Sequence, residues 1–159
     1  MKRKVSVGVA ALLLAAGAGV GLAWGAQAKS VTMKATLTAN QQVPPQHVKT
    51  PNASARFTGT LLRYERGTGA HLRGRGSLTW ALTYKNLSSR AKQAEVVIPS
   101  PSGPGSILLC RPCKPSSHGV VKPLPIARTS ALLTRTSYVV IYTKKNPKGE
   151  IRGRIVKSG

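Results

Sequence analysis

Strict alternation of apolar and polar residues recurs along this chain and constrains the fold more than any other feature. Successive side chains of a strand point to opposite faces, so alternation marks a strand with one buried side. The cleanest case sets Leu78, Trp80, Leu82 and Tyr84 against Ser77, Thr79, Ala81, Thr83 and Lys85. Val31, Met33, Ala35, Leu37 and Ala39 alternate in the same way with Thr32, Lys34, Thr36 and Thr38. Phe57, Gly59 and Leu61 continue the scheme, and Ile151 and Ile155 alternate with Glu150, Arg152 and Arg154. Tyr138 to Thr143 is an unbroken β-branched and aromatic run, which predicts a central strand. Long amphipathic helical patterns are missing. Turn signals separate the runs at Pro44-Pro45, Pro51-Asn52, Gly67-Thr68-Gly69 and Gly103-Pro104-Gly105. Asn146-Pro147-Lys148-Gly149 is the best hairpin candidate, joining Tyr138–Thr143 to Glu150–Val156. The proline-rich stretch from Ser100 to Pro125 is expected to form long loops around one or two short strands. The pattern as a whole predicts an all-β antiparallel sandwich of about seven to eight strands.

Residues 1–28 read as an export signal. Lys2, Arg3 and Lys4 precede the uncharged run Val5 to Gly25, and Ala26-Gln27-Ala28 is a small-x-small cleavage pattern. The expected cut lies between Ala28 and Lys29, which leaves residues 29–159 as one secreted, periplasmic or cell-surface domain. An uncleaved N-terminal anchor is the alternative, since the apolar run is long enough to span a bilayer.

Charge removes whole classes of chemistry. The 159 residues carry 25 Lys+Arg against 3 Asp+Glu, a net charge of +22. Asp is absent, and Glu65, Glu95 and Glu150 are the only carboxylates. Paired-carboxylate glycosidases, calcium loops and two-metal sites all need clustered acids. Hydrophobic content of 41% is too high for a disordered basic tail, and 4% aromatics gives little to stack bases on. No nucleophile elbow, histidine–acid pairing or phosphate loop is recognisable. A non-catalytic protein with no cofactor, no metal and no small-molecule substrate is the expectation.

The run Tyr138-Val139-Val140-Ile141-Tyr142-Thr143-Lys144-Lys145-Asn146-Pro147-Lys148-Gly149-Glu150-Ile151-Arg152-Gly153 resembles the closing motif of the CHRD (chordin-type) domain family, roughly Y-V-N-V-H-T-x-x-N-P-x-G-E-I-R-G. Leu37 to Pro45 is similar to the family's opening, where E-V-P-P follows a short strand. The resemblance spans about residues 31–156. It implies an immunoglobulin-like, Greek-key β-sandwich on a secreted or surface protein. The departures fall on the family's polar positions. Its A-H-I-H motif corresponds to Ala94-Glu95-Val96-Val97, the histidine of V-H-T to Tyr142, the preceding Asn to Val140, and the Glu of E-V-P-P to Gln42. Any metal or ligand held by those histidines is expected to be lost here, with packed core in its place. Glu150 is expected to form an ion pair with Arg152 or Arg154.

Two features remain. Cys110-Arg111-Pro112-Cys113 is expected to be a structural disulfide formed after export. Thiol redox chemistry, or zinc with His118, are the alternatives. The basic residues Lys144, Lys145, Lys148, Arg152, Arg154, Arg73 and Arg75 are expected to form a polyanion-binding face, with further groups at Lys85, Arg90 and Lys92. A surface this positive attracts anions at long range. Partners would be an anionic polymer or anionic membrane surface, nucleic acid only non-specifically, or a protein. The alternative is a structural envelope module suited to acid, where few carboxylates mean few groups to protonate.

Overall fold

The computed structural model describes residues 28–43, 52–64, 75–101 and 105–158. The segment expected to direct export lies outside the described residues apart from Ala28, as do Arg73, His47, His71 and the turns at Pro44-Pro45 and Gly67–Gly69.

The described residues are predominantly β and antiparallel, with nine strands, one α-helix and a single 3-10 turn at Ala39–Gln41. Strands β1 (Ala28–Thr38), β2 (Ser54–Tyr64), β3 (Gly76–Lys85), β4 (Ala91–Ile98), β5 (Gly105–Cys110) and β6 (Ser116–Leu124) are followed by helix α1 (Ile126–Thr134), then β7 (Tyr138–Thr143), β8 (Ile151–Arg154) and β9 (Val156–Ser158). Hydrogen bonding runs in the order β5-β4-β7-β8-β1-β2-β3-β6, with β9 also on β1. Pairing continues from β8 to β1 through Thr38 and Arg152, so the strands follow one continuous order in place of the two separate sheets expected of a sandwich. Terminal strands β5 and β6 approach one another, which gives a nearly closed, barrel-like sheet.

The alternation sorts side chains as the sequence predicts. Met33, Leu37, Phe57, Leu61, Leu78, Trp80 and Leu82 are buried inside, while Thr32, Thr36, Thr58, Thr79 and Thr83 face out. Strand β7 is central, between β4 and β8, with Val139, Val140 and Ile141 buried. The proline-rich segment yields two full edge strands, β5 and β6, rather than mostly loop.

Helix α1 is an addition to the sequence reading. It follows Pro125 and buries Thr129 and Leu132. Thr129 lies so close to Gly76 that a Cβ there would meet its Oγ1 at 2.9 Å. The helix therefore closes the end of the barrel where β3 begins. The opposite end carries the last residues of β3, β5 and β7 and the first of β4, β6 and β8.

A basic pocket beside the disulfide loop

Glu150 organises that opposite end. It is fully buried. The Ser88 N–H donates to its Oε1 at 2.6 Å. Its Oε2 accepts from Ser88 Oγ at 2.6 Å, Thr143 Oγ1 at 2.6 Å and Asn146 Nδ2 at 2.9 Å. These donors are neutral, which corrects the expected ion pair with Arg152 or Arg154. Arg154 is exposed, and Arg152 instead lies over the Tyr138 ring, 3.6 Å from its centre. Burial alone would push the Glu150 pKa up. The bonds from Ser88 Oγ, Thr143, the Ser88 N–H and Asn146 outweigh burial and hold it below its ordinary 4.5.

The turn before Glu150 follows from its residues. Asn146 and Pro147 open it, and the Gly149 N–H donates to Asn146 O at 3.1 Å. Gly149 has φ +110°, a region that favours glycine. Its missing side chain also leaves room for Gln42, whose Nε2 would lie 2.7 Å from a Cβ. Ser88 and Ser89 tie the β3–β4 connection to this turn, the latter by accepting from the Lys145 N–H at 3.3 Å. Arg90 and Lys144 are thereby brought to one place.

The third wall is the cysteine loop. Cys110 and Cys113 are bonded, with Cα atoms 5.2 Å apart. The Cys113 N–H donates to Ala91 O at 3.3 Å, and the Tyr84 hydroxyl donates to Cys113 O at 3.0 Å. The loop thus bridges the seam from β5 to β6 and is pinned to β3 and β4. It carries Arg111, whose Nε donates to Gln93 Oε1 at 2.8 Å. Gln93 in turn donates to Glu95.

Arg90, Lys92, Arg111 and Lys144 together line a pocket of about 540 Å³, with Ala91, Pro112, Thr143 and Pro147. No carboxylate is in the lining. Of the basic face expected from sequence, Lys145 and Lys148 are exposed on the same turn as Lys144. Arg75 stands at the other end of β3, and Arg154 lies on another groove with Lys34 and Arg56. Arg111, Lys34 and Arg56 were not in that set, because they join it only through the strand order.

A family model for the CHRD domain matches residues 33–155. The chain belongs to the CHRD domain family. No curated protein and no solved structure matches it. In this CHRD domain the closing motif is accounted for by packing. Asn146 and Glu150 bind each other, Gly149 takes positive φ, Ile151 is core, and a Cβ on Gly153 would stand 2.4 Å from the Thr36 carbonyl oxygen.

The motif's divergent positions also come together. Glu95 pairs with Val140, and Val140 with Arg152, on the outward face of β4, β7 and β8. Val140 is buried, but Glu95, Val97 and Tyr142 are half-buried. The patch is therefore mixed, rather than the packed core expected. Burial first, then the Glu95 charge, pushes the Tyr142 pKa up, with Arg152 opposing. Among the described residues no group of three His, Cys, Asp or Glu could hold a metal, and no helix is long and apolar enough to cross a membrane.

Proposed function

We propose that this CHRD domain is an exported, non-catalytic binding module whose pocket at the disulfide end takes anionic groups of a polymer or membrane surface. The observation that carries this reading is the lining of the pocket. Four cations from three separate stretches, Arg90 with Lys92, Arg111, and Lys144, converge with no carboxylate among them. Such a cluster repels itself and costs stability unless an anion or counterions neutralise it. The apolar walls of Ala91, Pro112 and Pro147 keep the cations apart, and Gln93 aims the guanidinium of Arg111. The disulfide acts as a staple for this wall and takes no part in redox chemistry.

The test is equilibrium binding of the full chain to dextran sulfate and to phosphatidylglycerol vesicles, with Lys92→Glu/Lys144→Glu beside the parent. Both substituted residues are exposed or at a turn, so the fold is retained. The variant should lose at least about tenfold in affinity, since each close charge pair contributes of the order of 1 kcal/mol. Unchanged affinity would overturn the pocket assignment.

A second reading has one observation in its favour. Glu150, the one carboxylate buried in the described residues, is held ionised by neutral donors. Little else in the fold then responds to acid, as a structural module in acidic surroundings would require. A melting temperature that falls steeply from pH 6 to pH 4 would exclude this reading.

A further inference from the structure

We propose that the outer face of β3, β2, β1 and β8 carries a second anion track, shaped for an extended phosphodiester chain. It rests on the reading of the domain as a polyanion binder, but on different residues. The strand register lays the track out. Lys85 stands opposite Ser54, and the next outward residue of β2 is Arg56. Arg56 stands opposite Thr36, and the next outward residue along β1 is Lys34. Lys34 stands opposite Val156, beyond Arg154 at the end of β8. All four cations are exposed.

Each step is a diagonal on one sheet face, about 7–8 Å. Arg154 falls level with Thr36 and Arg56 in the shared register, so the last step turns back and the four charges form a bent track roughly 20–25 Å along its path. The surface under it is concave. Arg56 and Lys85 share a hollow of about 290 Å³ with Ser54 and Thr83. Lys34, Arg56 and Arg154 share an adjoining groove of about 680 Å³ with Thr36, Thr58 and Gln41. Hydroxyls of Ser54, Thr83, Thr36 and Thr58 are thus spaced along the walls of these two hollows, beside apolar Ala35, Phe57 and Val156.

The face selects the ligand chemistry. No Glu belongs to β1, β2, β3, β8 or β9, so among the described residues no carboxylate side chain stands in these strands to repel an anion. The outward residues beside the cations are Thr and Ser apart from the exposed Val156, and the aromatic residues lining the two hollows, Phe57 and Tyr84, are buried and half-buried, so no fully exposed ring stands ready for a base to stack on. Single charges set well apart fit a chain with one anion per extended repeat. Hydroxyls between them fit a polyol or sugar backbone. A phosphodiester-linked polyol has both properties, and single-stranded DNA shares only the first.

The experiment measures binding of the full chain to labelled poly(glycerol phosphate) and oligothymidylate of equal charge, over a salt series, with inorganic phosphate as the monomer control. The track variant is Lys34→Gln/Arg56→Gln/Lys85→Gln. The pocket variant is Arg90→Gln/Lys92→Gln/Lys144→Gln. The track variant should lose about tenfold or more and show a log–log salt slope shallower by about 2, from about 0.7 per neutralised phosphate. Loss in the track variant alone keeps the track and overturns the pocket. Loss in the pocket variant alone overturns the track, and loss in both supports both. No loss in either overturns both. The polyol chain should bind at least as tightly as oligothymidylate. A clear preference for oligothymidylate would overturn the assignment to a base-free chain. Acetylation of the parent chain provides a check independent of variant folding. Lys34 and Lys85 should be protected by bound polymer, and their full reactivity would overturn the track.

Discussion

Glu150→Gln isolates the interaction that holds the pocket end together. The substitution keeps the shape of the side chain and removes its charge. Glu150 is fully buried and accepts four hydrogen bonds, one at Oε1 and three at Oε2. A glutamine offers one acceptor oxygen and, in place of the second oxygen, an NH₂ that can only donate. If its oxygen takes the Oε2 place, its NH₂ faces the Ser88 N–H. If the oxygen takes the Oε1 place, the NH₂ faces Asn146 Nδ2. Hydroxyls can rotate, but neither of these two donors can become an acceptor. One buried donor is therefore left unpaired in either orientation, at about 1–3 kcal/mol. The surviving bonds lose their charged acceptor and about half their strength. The total is about 2–4 kcal/mol at neutral pH, a large part of the ~5–15 kcal/mol typical of a whole domain. Thermal melting followed by circular dichroism should show a drop of roughly 5–15 °C. The pH dependence supplies a second check. Folding lowers the pKa of this carboxyl, so the unfolded chain takes up its proton first as pH falls. The contribution is complete above the ordinary 4.5 and fades as pH falls through the lower folded value. The gap between parent and variant should be constant near neutrality and close in acid. A variant that melts within about 1–2 °C of the parent, or a gap that widens in acid, would refute the reasoning.

Other outcomes follow from the same structure. Gly153→Ala places a Cβ 2.4 Å from the Thr36 carbonyl oxygen, which is backbone and cannot swing away. It should destabilise by about 2–4 kcal/mol in urea unfolding, whereas Gly105→Ala, with its nearest atom at 3.9 Å, should cost under about 1 kcal/mol. Cys110→Ser/Cys113→Ser opens a short loop and should cost about 2 kcal/mol on the chain-entropy model, read by the same unfolding curve. The same pair of changes should also weaken dextran sulfate binding by a few-fold, because Arg111 loses its fixed wall. Gln93→Leu removes the acceptor that aims Arg111 and should lower that affinity while leaving the melting temperature within about 2 °C.

The strands were legible because one face of each had to be buried. Leu78 to Tyr84, Met33 to Leu37 and the Tyr138–Thr143 hairpin all sit where alternation and turn residues place them. Helix α1 was hidden because nine residues are too few to display a period. Only Thr129 and Leu132 are buried on it, and Pro125 before Ile126 is the signal that could have marked its start. Strands β5 and β6 were obscured by prolines, which edge strands tolerate. The site was legible only in pieces. Lys144, Lys145 and Lys148 are neighbours in the chain, but Arg111 meets them through β4 and β7. Ser88 reaches Glu150 across 62 residues, so its neutral donors could not be separated from an arginine partner by local spacing. The family motif itself turned out to describe a turn and its packing.

The salt dependence of dextran sulfate binding, measured for the full chain and for Arg90→Gln/Lys92→Gln/Lys144→Gln, tests the pocket most directly. Tight binding by the parent at low salt, a steep loss as salt rises, and a shallower slope with weaker binding in the variant are the predicted results. Binding that persists in molar salt, or identical curves for parent and variant, would contradict an electrostatic role for the pocket.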